Sequence, residues 1–207
     1  MIISIIKYGM GNVASVKKAL DKLGFPSVIT DNPDEIRQSD FILLPGVGSF
    51  AVGMENLHLS GLVELLTDEV CQRKKPFLGI CLGMQLLADY GHEPHKIKGL
   101  GWIRGEVVKM QLPDHLRIPH LGWNNVQVVG LDNHFFSEFS GKDYYFIHSY
   151  HLKAKDSEDV VLTADYGIPI VAAVRKNNIF ATQFHPEKSQ NAGLALLNKV
   201  IKLNAQM

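Results

Sequence analysis

Cys81 stands in Gly79-Ile80-Cys81-Leu82-Gly83-Met84-Gln85, a small-residue turn between an apolar run and a stretch of helical periodicity, and it reads as a nucleophile. Pro76 to Ile80 has the length and continuous apolarity of a strand buried on both faces, and Leu82 to Tyr90 then turns helical. A strand running straight into a helix needs a sharp corner. Glycine two residues either side of that corner lets neighbouring backbones approach without a Cβ clash. In such an elbow the side chain projects from the turn while N–H groups of the next helical turn face it, which favours a thiolate and an oxyanion alike. Taken alone, the pattern also fits an ordinary buried core cysteine.

A partner for the thiol comes from Thr182-Gln183-Phe184-His185-Pro186-Glu187-Lys188-Ser189, at the end of the last strand-like run. His185 and Glu187 are two apart, so an extended chain puts both side chains on one face, where the carboxylate holds one ring nitrogen and the other faces a thiol. Pro186 keeps His185 out of the helical region. Oxyanion donors come from Pro45-Gly46-Val47-Gly48-Ser49-Phe50, where Gly46, Val47 and Gly48 supply N–H groups on a backbone able to reorient. An ordinary glycine turn is the plainer reading of that loop.

Other candidates are weaker. His148 and His151 are three apart on a strand and point to opposite faces, and no further His or Cys pair has ligand spacing, so no metal site is expected. His120, His92 and His95 read as structural loop residues, and Cys71 as an inert mid-helix thiol. Tyr8-Gly9-Met10-Gly11-Asn12 lacks the third glycine of a dinucleotide fingerprint and serves as a tight strand-to-helix turn.

The elements that must position these residues are legible in outline. Ile2 to Ile6, Ser27 to Thr30, Phe41 to Leu44 and Pro76 to Ile80 read as strands, alternating with a helix carrying Val13, Val16, Leu20 and Leu23 and a crossover helix marked by Leu62, Leu65, Leu66 and Val70. Alternation of this kind implies a doubly wound parallel sheet with its site beyond the carboxyl ends of the strands, where the Tyr8, Pro45 and Cys81 loops converge. The second half is β-rich, with strands expected at 99–110, 125–129, 144–150, 160–164, 170–174 and 179–184, before a closing amphipathic helix over 192–203. The 207 residues suffice for a full core, and short linkers point to one elaborated domain. Lys plus Arg equals Asp plus Glu at 21 each, so no bulk charge draws nucleic acid or an anionic membrane. Two cysteines without a disulfide pattern fit a reducing cytoplasm, and Met1 to Ile6 reads as a first strand, not a signal.

Together the motifs around Cys81 and His185, in this order and separation, resemble the triad-type class I glutamine amidotransferases, of flavodoxin-like α/β fold. Within that family the chain is most similar to the glutaminase subunits of imidazole glycerol phosphate synthase. The Tyr8 and Pro45 motifs, Pro119-His120-Leu121-Gly122-Trp123-Asn124, Phe146-Ile147-His148-Ser149-Tyr150 and Lys188-Ser189 carry the narrower likeness. The resemblance implies one amidotransferase domain over 1–207, without cofactor or metal, hydrolysing glutamine through a thioester. Cys81 would attack, His185 would transfer protons and Glu187 would orient His185. Leu82 and the Val47-Gly48 segment would hold the oxyanion, and Gly48, Gln85, Glu93, Ser149 and Tyr150 would grip the glutamine. It also implies a (β/α)8-barrel cyclase partner that receives the ammonia for histidine biosynthesis, with Tyr145 and Lys188 near the contact. An alternative is a paralogous subunit feeding ammonia to amidation of a nucleotide sugar in surface-polysaccharide synthesis. A third reading, a flavodoxin-like binding subunit with Cys81 as a redox or structural thiol, leaves the His185 and Glu187 spacing without a use.

Overall fold

The computed structural model describes residues 1–130 and 133–204. Its elements in chain order are β1 (Ile3–Ile6), α1 (Val13–Lys22), β2 (Ser27–Thr30), α2 (Pro33–Gln38), β3 (Phe41–Gly46), α3 (Phe50–Leu59), α4 (Leu62–Thr67), β4 (Phe77–Cys81) and α5 (Leu82–Gln85). There follow β5 (Ala88–His92), β6 (Lys96–Lys98), β7 (Ile103–Lys109), β8 (His120–Asn125), β9 (Gln127–Val128), β10 (Asp143–His148), β11 (Tyr150–Ala154), β12 (Val160–Asp165), β13 (Pro169–Lys176), β14 (Ile179–Thr182) and α6 (Gln190–Asn204).

Among the described residues the main sheet has eight strands in the order β2-β1-β3-β4-β14-β13-β12-β9. From β2 to β14 the pairs are parallel, and β13, β12 and β9 extend the sheet antiparallel. Alternate side chains of the parallel strands enter two separate cores. Ile3, Ile5, Phe41, Leu43, Leu78 and Ile80 join α1 and α6 on one face. Ile6, Ile42, Leu44 and Phe77 join α3 and α4 on the other. Both faces being covered explains why these strands read as continuous apolar runs, and the fold is the single α/β domain expected from the alternation. Among the described residues no helix is long and apolar enough to cross a membrane.

Several elements differ from the sequence reading. The helix expected over Leu82 to Tyr90 stops after Gln85, and Ala88–His92 is strand β5 in a four-stranded sheet ordered β11-β7-β5-β6. The cause is a non-local backbone partner: the carbonyls of Leu86, Leu87 and Ala88 accept from the N–H groups of Leu100, Trp102 and Gly101, all within 3.0 Å. Leu86, Leu87 and Ala88 are all fully buried, which a single helical stripe cannot achieve. The same pairing uses up the start of the strand expected at 99–110, which begins at Ile103.

The strand expected at 144–150 breaks at Ser149, passing from β10 in a two-stranded ribbon with β8 to β11 beside β7. The strand expected at 125–129 is reduced to β9, with β8 before it. His120 therefore lies in a strand and is buried, and His92 ends β5, where it meets Glu106 at 2.8 Å; neither is a loop residue. The crossover is three pieces, α3, α4 and a π-helical turn over Asp68–Gln72 that carries the half-buried Cys71.

Candidate active site

Parallel register brings the donor loop to the cysteine, since Pro45 pairs with Ile80 and Gly46 with Cys81. The chain leaving β3 therefore passes directly beside Cys81, and β14 flanks β4 on its other side with Thr182 opposite Ile80. Cys81 takes φ 54° and ψ −108°, a conformation disfavoured for L-residues and typical of a strained corner that aims a side chain. Close packing of small residues makes the corner possible. A Cβ on Gly79 would lie 2.8 Å from the Gly83 carbonyl oxygen, and one on Gly83 would collide with the Leu44 carbonyl oxygen. The Tyr8 turn buttresses this arrangement from beneath, because a Cβ on Gly46 would run into the Tyr8 hydroxyl. Burial, with the Cys81 charge adding to it, pushes the Tyr8 phenol well above its usual range.

His185 follows β14 and Glu187 lies in the 3-10 turn Pro186–Lys188. The chain is thus not extended through Glu187, as the spacing suggested. The turn begins at Pro186, and the two side chains meet across it with His185 Nδ1 2.8 Å from Glu187 Oε1. Both are almost completely buried, and among the described residues no group lies within ordinary hydrogen-bond distance and geometry of His185 Nε2, so Cys81 acts on the ring from farther away. Burial opposes a charged imidazole here. A Cys81 thiolate and the Glu187 carboxylate outweigh it and push His185 up to about 10. A cysteine, a histidine with a raised pKa and an orienting carboxylate are the parts of a covalent acyl-transfer site.

A cavity of about 390 Å³, a size suited to a small molecule, opens over the sulfur. Val47, Gly48, Cys81 and Leu82 form one wall, so both expected oxyanion segments face it. Gln85, Glu93, Ser149 and Tyr150 line it as well, which brings all five expected glutamine contacts to one space. Glu93 has a further tie, its carboxylate accepting from the Phe50 N–H at 3.0 Å at the start of α3. Gln85 is more deeply committed than a free binding group: its amide donates to the Tyr150 carbonyl and to Gln183 Oε1, both at 2.9 Å. The Tyr8 loop, expected to converge on the site, does not line the cavity.

Pro119, Ile147 and His148 also line the cavity, without a role assigned from sequence. His148 and His120 bond ring to ring at 3.0 Å, and burial lowers them to about 3 and about 4 respectively. His148 and His151 do have different surroundings, His151 lining another cavity with Lys109 and Lys153, but the cause is the break at Ser149, which puts them on β10 and β11 in different sheets, and not alternation along one strand. On the outer face of the β8–β10 ribbon Leu121, Trp123 and Ile147 are exposed, with Ile147 at the cavity. Tyr145 packs edge-on to Trp123 at 6.1 Å between ring centroids, and Lys188 Nζ stands 5.8 Å from the Tyr145 ring. The alternation that marks Leu121 and Trp123 as one face was missed because Pro119, Gly122 and Asn124 made the segment read as a loop.

Residues 4–203 match the family model described as Glutamine amidotransferase class-I. The "Imidazole glycerol phosphate synthase subunit HisH 1" of Campylobacter jejuni is 47% identical, covering 98% of this chain and 100% of the relative. The subunit HisH of Moorella thermoacetica is 45% identical over 94% of this chain and 91% of its own, and the HisH 2 of Pseudomonas aeruginosa 40% identical over 98% and 100%. Among solved structures, PurLQS from Thermotoga maritima superposes with a TM-score of 0.75 at 18% identity over 98% of both chains, a likeness of fold. With a family match over nearly its whole length and full-length relatives above 40% identity, the chain belongs to the class I glutamine amidotransferases.

Proposed function

We propose that this chain is the glutaminase subunit of imidazole glycerol phosphate synthase in histidine biosynthesis, acting in the cytoplasm and delivering ammonia to a (β/α)8-barrel cyclase. The Cys81 thiolate attacks the side-chain carboxamide carbon of glutamine, forming a C–S bond and an oxyanion. The Leu82 N–H and a donor of the Val47-Gly48 segment receive the oxyanion. His185 gives its Nε2 proton to the departing nitrogen as the C–N bond breaks, releasing ammonia and leaving a thioester. Water then attacks the thioester, His185 takes its proton, and glutamate leaves with Cys81 restored. Glu187 holds the imidazole by Nδ1 throughout.

The observation that carries this reading is the buried His185–Glu187 pair at 2.8 Å, whose imidazole is raised by the cavity-lining Cys81 as well as by Glu187. The exposed ribbon face of Leu121, Trp123 and Ile147, flanked by Tyr145 and Lys188, supports a docked partner at the cavity mouth.

The test is Cys81→Ser in the complex with the cyclase. The variant is expected to fold and assemble but to lose glutamine hydrolysis by at least about 10³-fold. Undiminished hydrolysis sinks the triad assignment. Complementation of a strain lacking the histidine-pathway subunit tests the acceptor: growth supports it, and failure despite soluble expression favours the nucleotide-sugar branch.

A further inference from the structure

Behind the cavity wall a run of buried polar groups ends on the nucleophile's sulfur. Gln183 is fully buried and its Nε2 lies 3.7 Å from Cys81 Sγ, while its Oε1 accepts from Gln85 Nε2 at 2.9 Å. Gln85 Nε2 also donates to the Tyr150 carbonyl at 2.9 Å, and that carbonyl is 2.9 Å from His148 Nδ1. His148 Nε2 is 3.0 Å from His120 Nδ1, and His120 Nε2 is 3.3 Å from Asn124 Nδ2, which donates to the Asp165 carbonyl at 2.7 Å.

The direction of every bond in this run is determined by groups that can act in only one way. The Tyr150 carbonyl can only accept, so His148 carries its proton on Nδ1 and Gln85 turns its NH₂ toward the same oxygen. Both lone pairs of that oxygen are then used. His148 Nε2 must accept from His120 Nδ1–H, and His120 Nε2 from Asn124, so both imidazoles are neutral. The second proton of the Gln85 NH₂ goes to Gln183, which leaves Gln183 with its own NH₂ toward the sulfur. A carbonyl on the β10–β11 corner thereby sets which end of a buried amide the nucleophile meets.

We propose that Gln183 acts on the nucleophile itself, holding the Cys81 sulfur by a donated N–H and favouring its thiolate over its thiol. The titratable groups that act on the sulfur are His185, whose imidazolium favours a thiolate, and the Tyr8 phenol, which stays neutral. A further neighbour is the Ile147 carbonyl at 3.8 Å, an acceptor that can bond S–H but faces a thiolate with like charge, and the Gln183 N–H opposes it. Gln183 is the group in this run that improves when the proton leaves. Buried and without rotational freedom, it also limits where the sulfur can stand. The proposal rests on the reading of Cys81 as the nucleophile of a glutaminase.

The experiment measures the pH dependence of iodoacetamide alkylation of Cys81 in the full chain, in a Cys71→Ser background. The variants are Gln183→Glu, which keeps the acceptor toward Gln85 but turns an oxygen on the sulfur, and Gln183→Met, which removes both functions at similar volume. The midpoint is expected to rise by about one pH unit or more in each folded variant, with kcat for glutamine in the cyclase complex falling about tenfold and KM changing less. A midpoint within 0.2 units (roughly the scatter of such titrations, against a full unit per 1.36 kcal/mol) of the parent in either folded variant overturns the proposal. Should neither fold, Gln183→Asn retains the amide while withdrawing it by one methylene, and it is judged by the same midpoint. Alkylation needs no glutamine. Hydrolysis surviving in Cys81→Ser would therefore remove the glaring premise of a glutaminase nucleophile while leaving the sulfur–amide interaction measurable.

Discussion

Glu187 Oε1 and His185 Nδ1 lie 2.8 Å apart across the start of a 3-10 turn, and both side chains are nearly inaccessible to solvent. Their meeting fixes the imidazole's tautomer, because a carboxylate at Nδ1 requires the proton there and leaves Nε2 to exchange protons with the thiol and the leaving group. Glu187→Gln preserves shape but can present its NH₂ to Nδ1 and stabilise the wrong tautomer. Glutamine hydrolysis in the complex is expected to fall by about 10² to 10⁴-fold with a change of KM below threefold. The alkaline limb of the pH–rate profile should also move down, since the carboxylate helps raise His185. An unaltered profile and rate would remove Glu187 from the mechanism.

The elbow makes a second prediction, about stability. At Gly83 a Cβ would collide with the backbone oxygen of Leu44, which belongs to the central strand β3 and cannot swing aside. Gly83→Ala should cost about 2 to 3 kcal/mol. Gly24 makes a useful contrast: it has φ +76° and nothing within 4 Å of a Cβ, so Gly24→Ala should cost only about 1 kcal/mol from backbone strain. Thermal unfolding of the two variants checks the order, and equal losses would show that the β3–elbow contact is not the constraint.

The buried histidines set an acid limit on stability. Burial holds His148 near 3 and His120 near 4, below the ordinary 6.5 of an unfolded chain. Between these values the unfolded state binds more protons than the folded one, so stability is full above about pH 6.5 and falls with pH until the folded groups titrate. From pH 7 to pH 5 the loss should be roughly 2 kcal/mol for each imidazole. Denaturant unfolding at a series of pH values reads it, and His120→Phe should flatten the slope over that range. A parent slope no steeper than that of the variant contradicts the assignment.

What the sequence by itself determined was the set of local devices. Continuous apolar runs marked β1, β3 and β4 because strands covered on both faces have no polar alternation. The glycines around Cys81 marked a corner because only a missing Cβ lets β4, α5 and Leu44 come so close. The two-residue spacing of His185 and Glu187 brought them together even though the turn at Pro186 replaced the extended path first expected. Tertiary structure decided the rest where a distant backbone partner outweighed local pattern. Leu86 to Ala88 left the helix because residues 100–102 took their carbonyls, and 120–124 became a strand because β10 paired with it. The run from Asn124 to Gln183 was invisible in the same way. Its members lie up to 98 residues apart at the Gln85–Gln183 bond, and only folding joins separate glutamines and histidines into one connected run, in which His148 and Gln85 both donate to the Tyr150 carbonyl while Gln85 and Gln183 donate onward toward Cys81.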